Sequence, residues 1–406
     1  MGFYHGLSGL NASSKNLDVI GNNIANSNTT GFKSSRAEFN EMVATAMGAA
    51  SGDNAGIGVS VAAVAQQFTQ GLILPTNNGL DMAINGDGFF VVNTSTGTAY
   101  TRSGNFQLNK SGELVTVNGD KVMGYTVDPV TGQRNNVTPT ELVFPTGAPI
   151  PAKSTENVKA ILNLDARANL AAGDPTATPP IEPTPRATYG TSLQVYDSLG
   201  AAHPATVYFE KTGPNSWNVF SDLTSTTPIG SMTFNNDGTL ASATPSPLQL
   251  SITPSTGAAP LTVSFDLSKT TQYGSSWSVA KLTQDGYASG ELTDVQVSSD
   301  GVLMAQYSNG VTRAEAQIAL AKFANVQGLI PDGNNNWIAS NDSGAPVLGA
   351  AGDGTFGVIQ GNALEQSNVD LTAELVNMMT AQRAYQANAQ TIKTQDQIFS
   401  TLVNLR

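Results

Sequence analysis

The chain has 406 residues, a formal net charge of −12 and no cysteine. Charged side chains make up 12% of it, about half the share usual in a soluble domain. Acidity without a Lys/Arg run speaks against nucleic acid and anionic membrane surfaces as partners. The missing cysteines remove disulfide frameworks and thiolate metal sites, and the length calls for about two to four domains.

The first element in chain order is a helix over residues 3–24. Phe3, Leu7, Leu10, Leu17, Ile20 and Ile24 recur at threes, fours and a seven. Gly6, Gly9 and Gly21 each cost such a helix up to about 1 kcal/mol relative to Ala, so it needs a partner. The same stretch lacks the basic and apolar regions of a secretory signal. No segment reaches the about 18–20 unbroken apolar residues of a membrane helix, so membrane insertion is not expected.

The middle of the chain reads as β. Leu80, Met82 and Ile84 alternate before FFVV at 89–92, and ELVTV at 113–117 runs into the hairpin signal Asn118 and Gly119. Further strands are expected at 205–209, 217–220, 261–265 and 301–307. Two proline-rich stretches, FPTGAPIPAKS at 144–154 and TATPPIEPTPR at 176–186, mark a domain exit and a long exposed loop. QGLI occurs at 70–73 and again at 327–330, as if two arms of the chain joined one domain in similar ways.

The tail is again helical. From Leu371 by fours and threes come Leu375, Met378, Tyr385, Ala389, Ile392, Phe399 and Val403, with Gln382 and Asp396 interrupting a heptad-like seam. Ser367 and Asp370 have capping-box spacing at its start. The matching stripe lies at the opposite end of the chain, so the two termini should pair. Val376, Met379, Ile398 and Leu402 form a second apolar set, and a helix apolar on more than one face calls for more than one neighbour. Assembly between chains is therefore favoured over an intramolecular coiled coil that caps its own domain.

Chemistry is sparse. His5 and His203 are the only histidines, and both read as surface imidazoles. Acidic residues mostly precede glycine, as at Asp87, Asp237, Asp285, Asp300 and Asp353, which is turn chemistry. No catalytic residue, metal site or cofactor is expected. A wall-cutting enzyme would need a carboxylate pair brought together in space, and a secreted β-rich adhesin would need a ligand groove.

The two ends carry a resemblance. IGNNIANSNTTGFKSSR at 20–36, with Asn22, Asn23, Ala25, Asn26, Thr30, Gly31, Phe32 and Lys33, resembles the N-terminal signature of bacterial flagellar rod, hook and junction proteins. VDLTAELV at 369–376 and AQRAYQANAQTIKTQD at 381–396 resemble the matching C-terminal signature, and TQYGSS at 271–276 and QDGYASG at 284–290 look hook-like. The length, with an insert near 150–284, suits the hook members; distal-rod and hook–filament junction proteins are the alternatives within the family.

The resemblance implies a mainly β chain with α-helical termini. Residues 1–30 and 365–406 would pair as an inner coiled coil, joined by connecting segments 31–75 and 355–364. A middle β domain would comprise 76–149 and 285–354, and an outer β domain 150–284. It implies a structural subunit of a curved tube that passes torque from rod to filament. Its partners would be copies of itself, the rod, hook cap and hook–filament junction proteins, and the flagellar type III export machinery. The last would deliver it to an extracellular position without a cleaved signal. Phe39 and Val43 fit a Phe-x-x-x-apolar export pattern.

Overall fold

The periodic segments at the two ends are helices: α1 spans Gly2–Ala25 and α2 spans Leu371–Asn404. The computed structural model describes residues 2–43, 56–129, 131–144, 149–254 and 257–404. Among these, the remaining regular structure is strand apart from two short 3-10 turns, so the chain is mainly β with α-helical termini. Contacts divide it into two units, Met1–Gly147 with Asp294–Gln306 and Thr312–Arg406, and Ala148–Thr293 with Tyr307–Val311.

In the first unit α1 and α2 pack on each other. The cap of α2 differs from the capping box expected at Ser367. Asp370 is the cap: its Oδ1 accepts from the Thr372 N–H at 2.9 Å and the Ala373 N–H at 3.1 Å. A carboxylate just before the first turn satisfies two otherwise free donors and complements the positive end of the helix dipole. Between the helix ends, strands β1 (Ser35–Val43) and β2 (Gly56–Gln66) run antiparallel, from Ser35 opposite Gln66 to Glu41 opposite Val59. Both pack against α1, so the expected connecting segment carries regular structure of its own.

The main sheet of this unit is organised by the strand Thr312–Lys322, which places Ala316 opposite Thr126, Leu320 opposite Phe90 and Ala319 opposite Ala350. None of the strands expected from the sequence lies here, and RAEAQIALA is rich in good helix formers. Pairing along much of its length overrides that preference. Residues 316–321 are all buried, which explains an apolar run without alternation. Beside it Phe89, Tyr100, Phe323 and Trp337 form an edge-to-face aromatic cluster. Asn118 and Gly119 make the expected hairpin, with Gly119 at φ +91° and Val115 opposite Lys121.

The second unit is a sandwich of two sheets. One is a meander of consecutive antiparallel strands from Gly190–Tyr196 to Leu240–Thr244. The other centres on Asn157–Asp165, whose Val158, Ala160, Leu162 and Leu164 point inward at period two. This strand is not among those expected from the sequence, although its alternation is plain in VKAILNL. The unit extends past the expected boundary at 284, because bridges from Ile150 to Gly290 and from Lys153 to Tyr287 close its neck. Trp217 is fully buried in this core and donates from Nε1 to Gln272 Oε1 at 2.8 Å. Trp217→Ala is expected to destabilise this unit by about 3–5 kcal/mol, measured as a lower urea midpoint at unchanged slope.

Candidate functional site

The helix pair meets through small and polar residues. A Cβ added at Gly6 would lie 2.9 Å from Ile392 Cγ1, and one at Gly9 would lie 2.8 Å from Asn388 Nδ2. The glycines that weaken α1 in isolation are thus what allows α2 to approach it. Asn388 Nδ2 donates to Ser13 Oγ at 3.4 Å, Ala381 is buried, and Asn23 Nδ2 donates to Glu374 Oε1 at 3.3 Å. The inward stripe of α2 therefore runs through Glu374, Ala381, Asn388 and Ile392.

The expected seam is distributed differently. Ile20 is buried, while Leu10, Leu17, Ile24, Met378, Ala389 and Ile392 are partly buried. Leu7, Leu371, Leu375, Tyr385 and Phe399 are exposed, as are Val376, Met379 and Ile398 of the second set. The side chains of Val403 and Leu402 lie outside the described residues. Packing between the helices thus combines part of the expected seam with Glu374, Ala381 and Asn388, which the apolar pattern passes over. It leaves on α2 an outward surface whose large apolar side chains are 45–53% exposed at Leu371, Leu375, Val376, Met379 and Ile398. A surface of this kind is built for association.

The motif after α1 serves the junction between helix and β structure. Asn22 and Ala25 are exposed. Asn23 is buried and makes two 2.8 Å bonds to Ser35, donating from Nδ2 to its carbonyl and accepting its N–H at Oδ1. Asn26 closes the helix by donating its N–H to Asn22 O at 3.1 Å, and Thr30 O accepts from Asn335 Nδ2 at 3.0 Å. Gly31, at φ +69°, donates its N–H to Glu365 O at 2.8 Å. A Cβ there would sit 2.6 Å from the Ser103 backbone nitrogen. Gly31→Ala is therefore expected to destabilise the first unit by at least about 1–2 kcal/mol from the left-handed conformation alone, read as a lower melting temperature. Phe32 is half-buried.

Lys33 leads to a feature that sequence reasoning missed. Its Nζ donates to Glu365 Oε1 at 2.6 Å and to Thr69 O at 2.7 Å. Arg102 donates to the other carboxylate oxygen at 3.1 Å, and the Gly71 N–H donates to Oε1 at 2.9 Å. All three charged side chains are buried, Glu365 completely. Burial pushes the Lys33 ammonium below its ordinary value; Glu365 pulls it partly back, and Arg102 adds to the depression. Around this cluster the two arms are stitched together. Asn368 accepts the Ser34 N–H at 2.8 Å and donates to Gln67 O at 2.7 Å, and Ala363 to Glu365 pair with Ile73 to Pro75. The repeated QGLI is used in both places just before a strand, Ile73–Pro75 and Ile330–Gly333.

The other candidates stand apart. Phe39 is exposed on β1, and the Val43 side chain lies outside the described residues. His5 bonds through Nε2 to the Gly56 carbonyl at 2.8 Å, tying α1 to β2, and His203 pairs with Asp197 at 2.9 Å. Among the described residues no group of three or more His, Cys, Asp or Glu side chains is placed to hold a metal ion. No described helix is long and apolar enough to cross a membrane.

Comparison with known proteins follows this layout from end to end. Four family models match in chain order: Flagella basal body rod protein at residues 3–33, Flagellar hook protein FlgE/F/G D1 domain at 83–158, Flagellar basal body protein FlaE D2 domain at 163–287, and Flagellar basal body rod FlgEFG protein C-terminal at 360–405. The chain is 42% identical over 419 residues to the flagellar hook protein FlgE of Escherichia coli strain K12, with all of both chains covered. It is 41% identical over 421 residues to that of Salmonella typhimurium strain LT2, again over all of both. Identity to the Treponema pallidum FlgE is 31% over 463 residues, covering 99% of each. The crystal structure of Helicobacter pylori flagellar hook protein FlgE2 superposes with a TM-score of 0.54 at 18% identity, over 72% of this chain and 100% of that one, a likeness of fold. Matches that run unbroken from the N-terminal arm through both β regions to α2 make this chain a member of the bacterial flagellar hook protein family.

Proposed function

We propose that the chain is the structural subunit of the hook, polymerising into a curved tube that transmits torque between rod and filament. The observation that carries this reading is the outward apolar surface of α2, left exposed although the helix is already packed against α1. Copies of the chain would cover it. The terminal helices would form the innermost layer of the tube, the junction and main sheet a middle layer, and the second unit an outer one. Buried apolar contacts between inner helices hold the tube together. The outer domains, poor in charge, slide on weak contacts as each strand of subunits shortens and lengthens.

Rod, hook cap and hook–filament junction proteins would meet the ends of the tube, and the flagellar type III machinery would export the chain, with Phe39 and Val43 as its recognition pattern. Electron microscopy of the full chain beside a version ending at Asp370 tests the core of this reading. Curved tubes from the first and none from the second support it. Discrete monomers from both would make α2 a cap for its own chain and sink it.

A further inference from the structure

We propose that Lys33, Glu365 and Arg102 are positioning residues that set the angle at which the two arms leave the β structure of the first unit, and thereby the helical twist and rise of the assembled tube. The inference rests on the reading of the chain as a self-assembling subunit.

A buried ion cluster is a poor source of stability. Taking two cations and a carboxylate out of water costs about as much as their attraction returns, and apolar side chains of similar volume often fill such a site equally well or better. Direction is what an apolar filling cannot supply. Glu365 receives Lys33 Nζ and the Gly71 N–H on one oxygen and Arg102 on the other. Each cation is also tied to backbone, Lys33 to Thr69 O at 2.7 Å, and Arg102 to Gly86 O at 2.7 Å and Ile84 O at 3.4 Å. Four stretches of chain meet around this cluster: the incoming arm at 31–33, its continuation at 69–71, the β structure at 84–86 and 102, and the outgoing arm at 363–366. Pivoting any of them breaks a charge-assisted bond of defined geometry.

The charge count points the same way. Two cations face one carboxylate, and Arg102 Nε is buried with no hydrogen-bond acceptor among the described residues. A cluster shaped for stability would supply a second anion and an acceptor for that N–H. This one accepts a net buried positive charge, eased by the Phe89 ring 5.4 Å from the Arg102 guanidinium, and keeps the fork of Arg102 aimed at Glu365 and Gly86. The helix pair beyond it meets through small and polar residues, so the direction of the arms is set at the junction. In a tube of identical subunits, a small change in that direction is repeated at every subunit and becomes a change of helical twist and rise.

The test compares wild type with the full-length triple variant Lys33→Met, Arg102→Met, Glu365→Leu. Thermal unfolding is measured on the monomers, and helical twist and rise of the tubes by electron microscopy. The expected result is a melting temperature within a few degrees of wild type or above it, with tubes whose twist and rise are broadened or shifted. Variant tubes indistinguishable from wild type would overturn the proposal. So would a triple variant that does not fold, because the cluster would then act through stability. A wild-type chain that forms no tubes removes the self-assembly reading and this inference with it, an outcome distinct from normal wild-type tubes beside unchanged variant tubes.

Discussion

Glu365→Gln is expected to destabilise the first unit by about 3–5 kcal/mol and to leave the second unit unaffected. The carboxylate is wholly buried, 2.6 Å from Lys33 Nζ and 3.1 Å from Arg102. Removing its charge leaves two buried cations without a counterion, and the amide now points at least one N–H donor toward groups that are donors themselves. Shape is nearly unchanged, so the loss is electrostatic and separates from the apolar triple replacement, in which no charge is stranded. The two variants together form a sharp contrast: the smallest steric change costs the most, and the largest costs little. Hydrogen exchange resolved by segment reads it directly. Protection should fall at 31–36, 69–75 and 363–370 and persist in 157–165 and 205–220. A loss below about 1 kcal/mol would mean that the cluster is hydrated and its burial gives no leverage.

The second large effect concerns association. Leu375 and Met379 lie one turn apart on α2 and are 47% and 53% exposed. Their double replacement by Gln keeps helix propensity and leaves the Gly6, Gly9, Ala381 and Asn388 contacts untouched. The monomer should fold and melt as wild type does. Covering the exposed half of each side chain in a polymer returns about 0.75–1.5 kcal/mol, so the critical concentration should rise by about 10- to 100-fold. Sedimentation of polymer against total protein measures it. An unchanged critical concentration would show that this surface of α2 faces solvent in the tube and that other residues hold the subunits together.

These expectations draw on two kinds of information. Helices, hairpins and the N- and C-terminal signatures are local. The spacing from Phe3 to Ile24, the stripe from Leu371, and Asn118 with Gly119 each follow from short-range sterics and periodicity, and each is where the sequence places it. The strand Thr312–Lys322 is the counterexample: its Ala and Glu content favours helix, and only pairing with strands from 89–90, 124–126 and 347–350 decides otherwise. The strand Asn157–Asp165, absent from the expected set, is a different case, since its alternation is local and present in the chain.

By itself, then, the sequence determined which segments are helical, which turns are tight, and that the termini carry more apolar surface than one chain needs. The tertiary structure decided which face of α2 turns inward. Heptad spacing marks residues able to pack, but the closest approach of two helices goes to the smallest side chains, so Gly6 and Gly9 oppose Ile392 and Asn388 while Leu371 and Leu375 turn out. It also decided the ion cluster. Lys33 and Glu365 are separated by 332 positions, and nothing in the neighbourhood of either marks its partner. A buried charge finds its counterion only when the fold brings the two arms together.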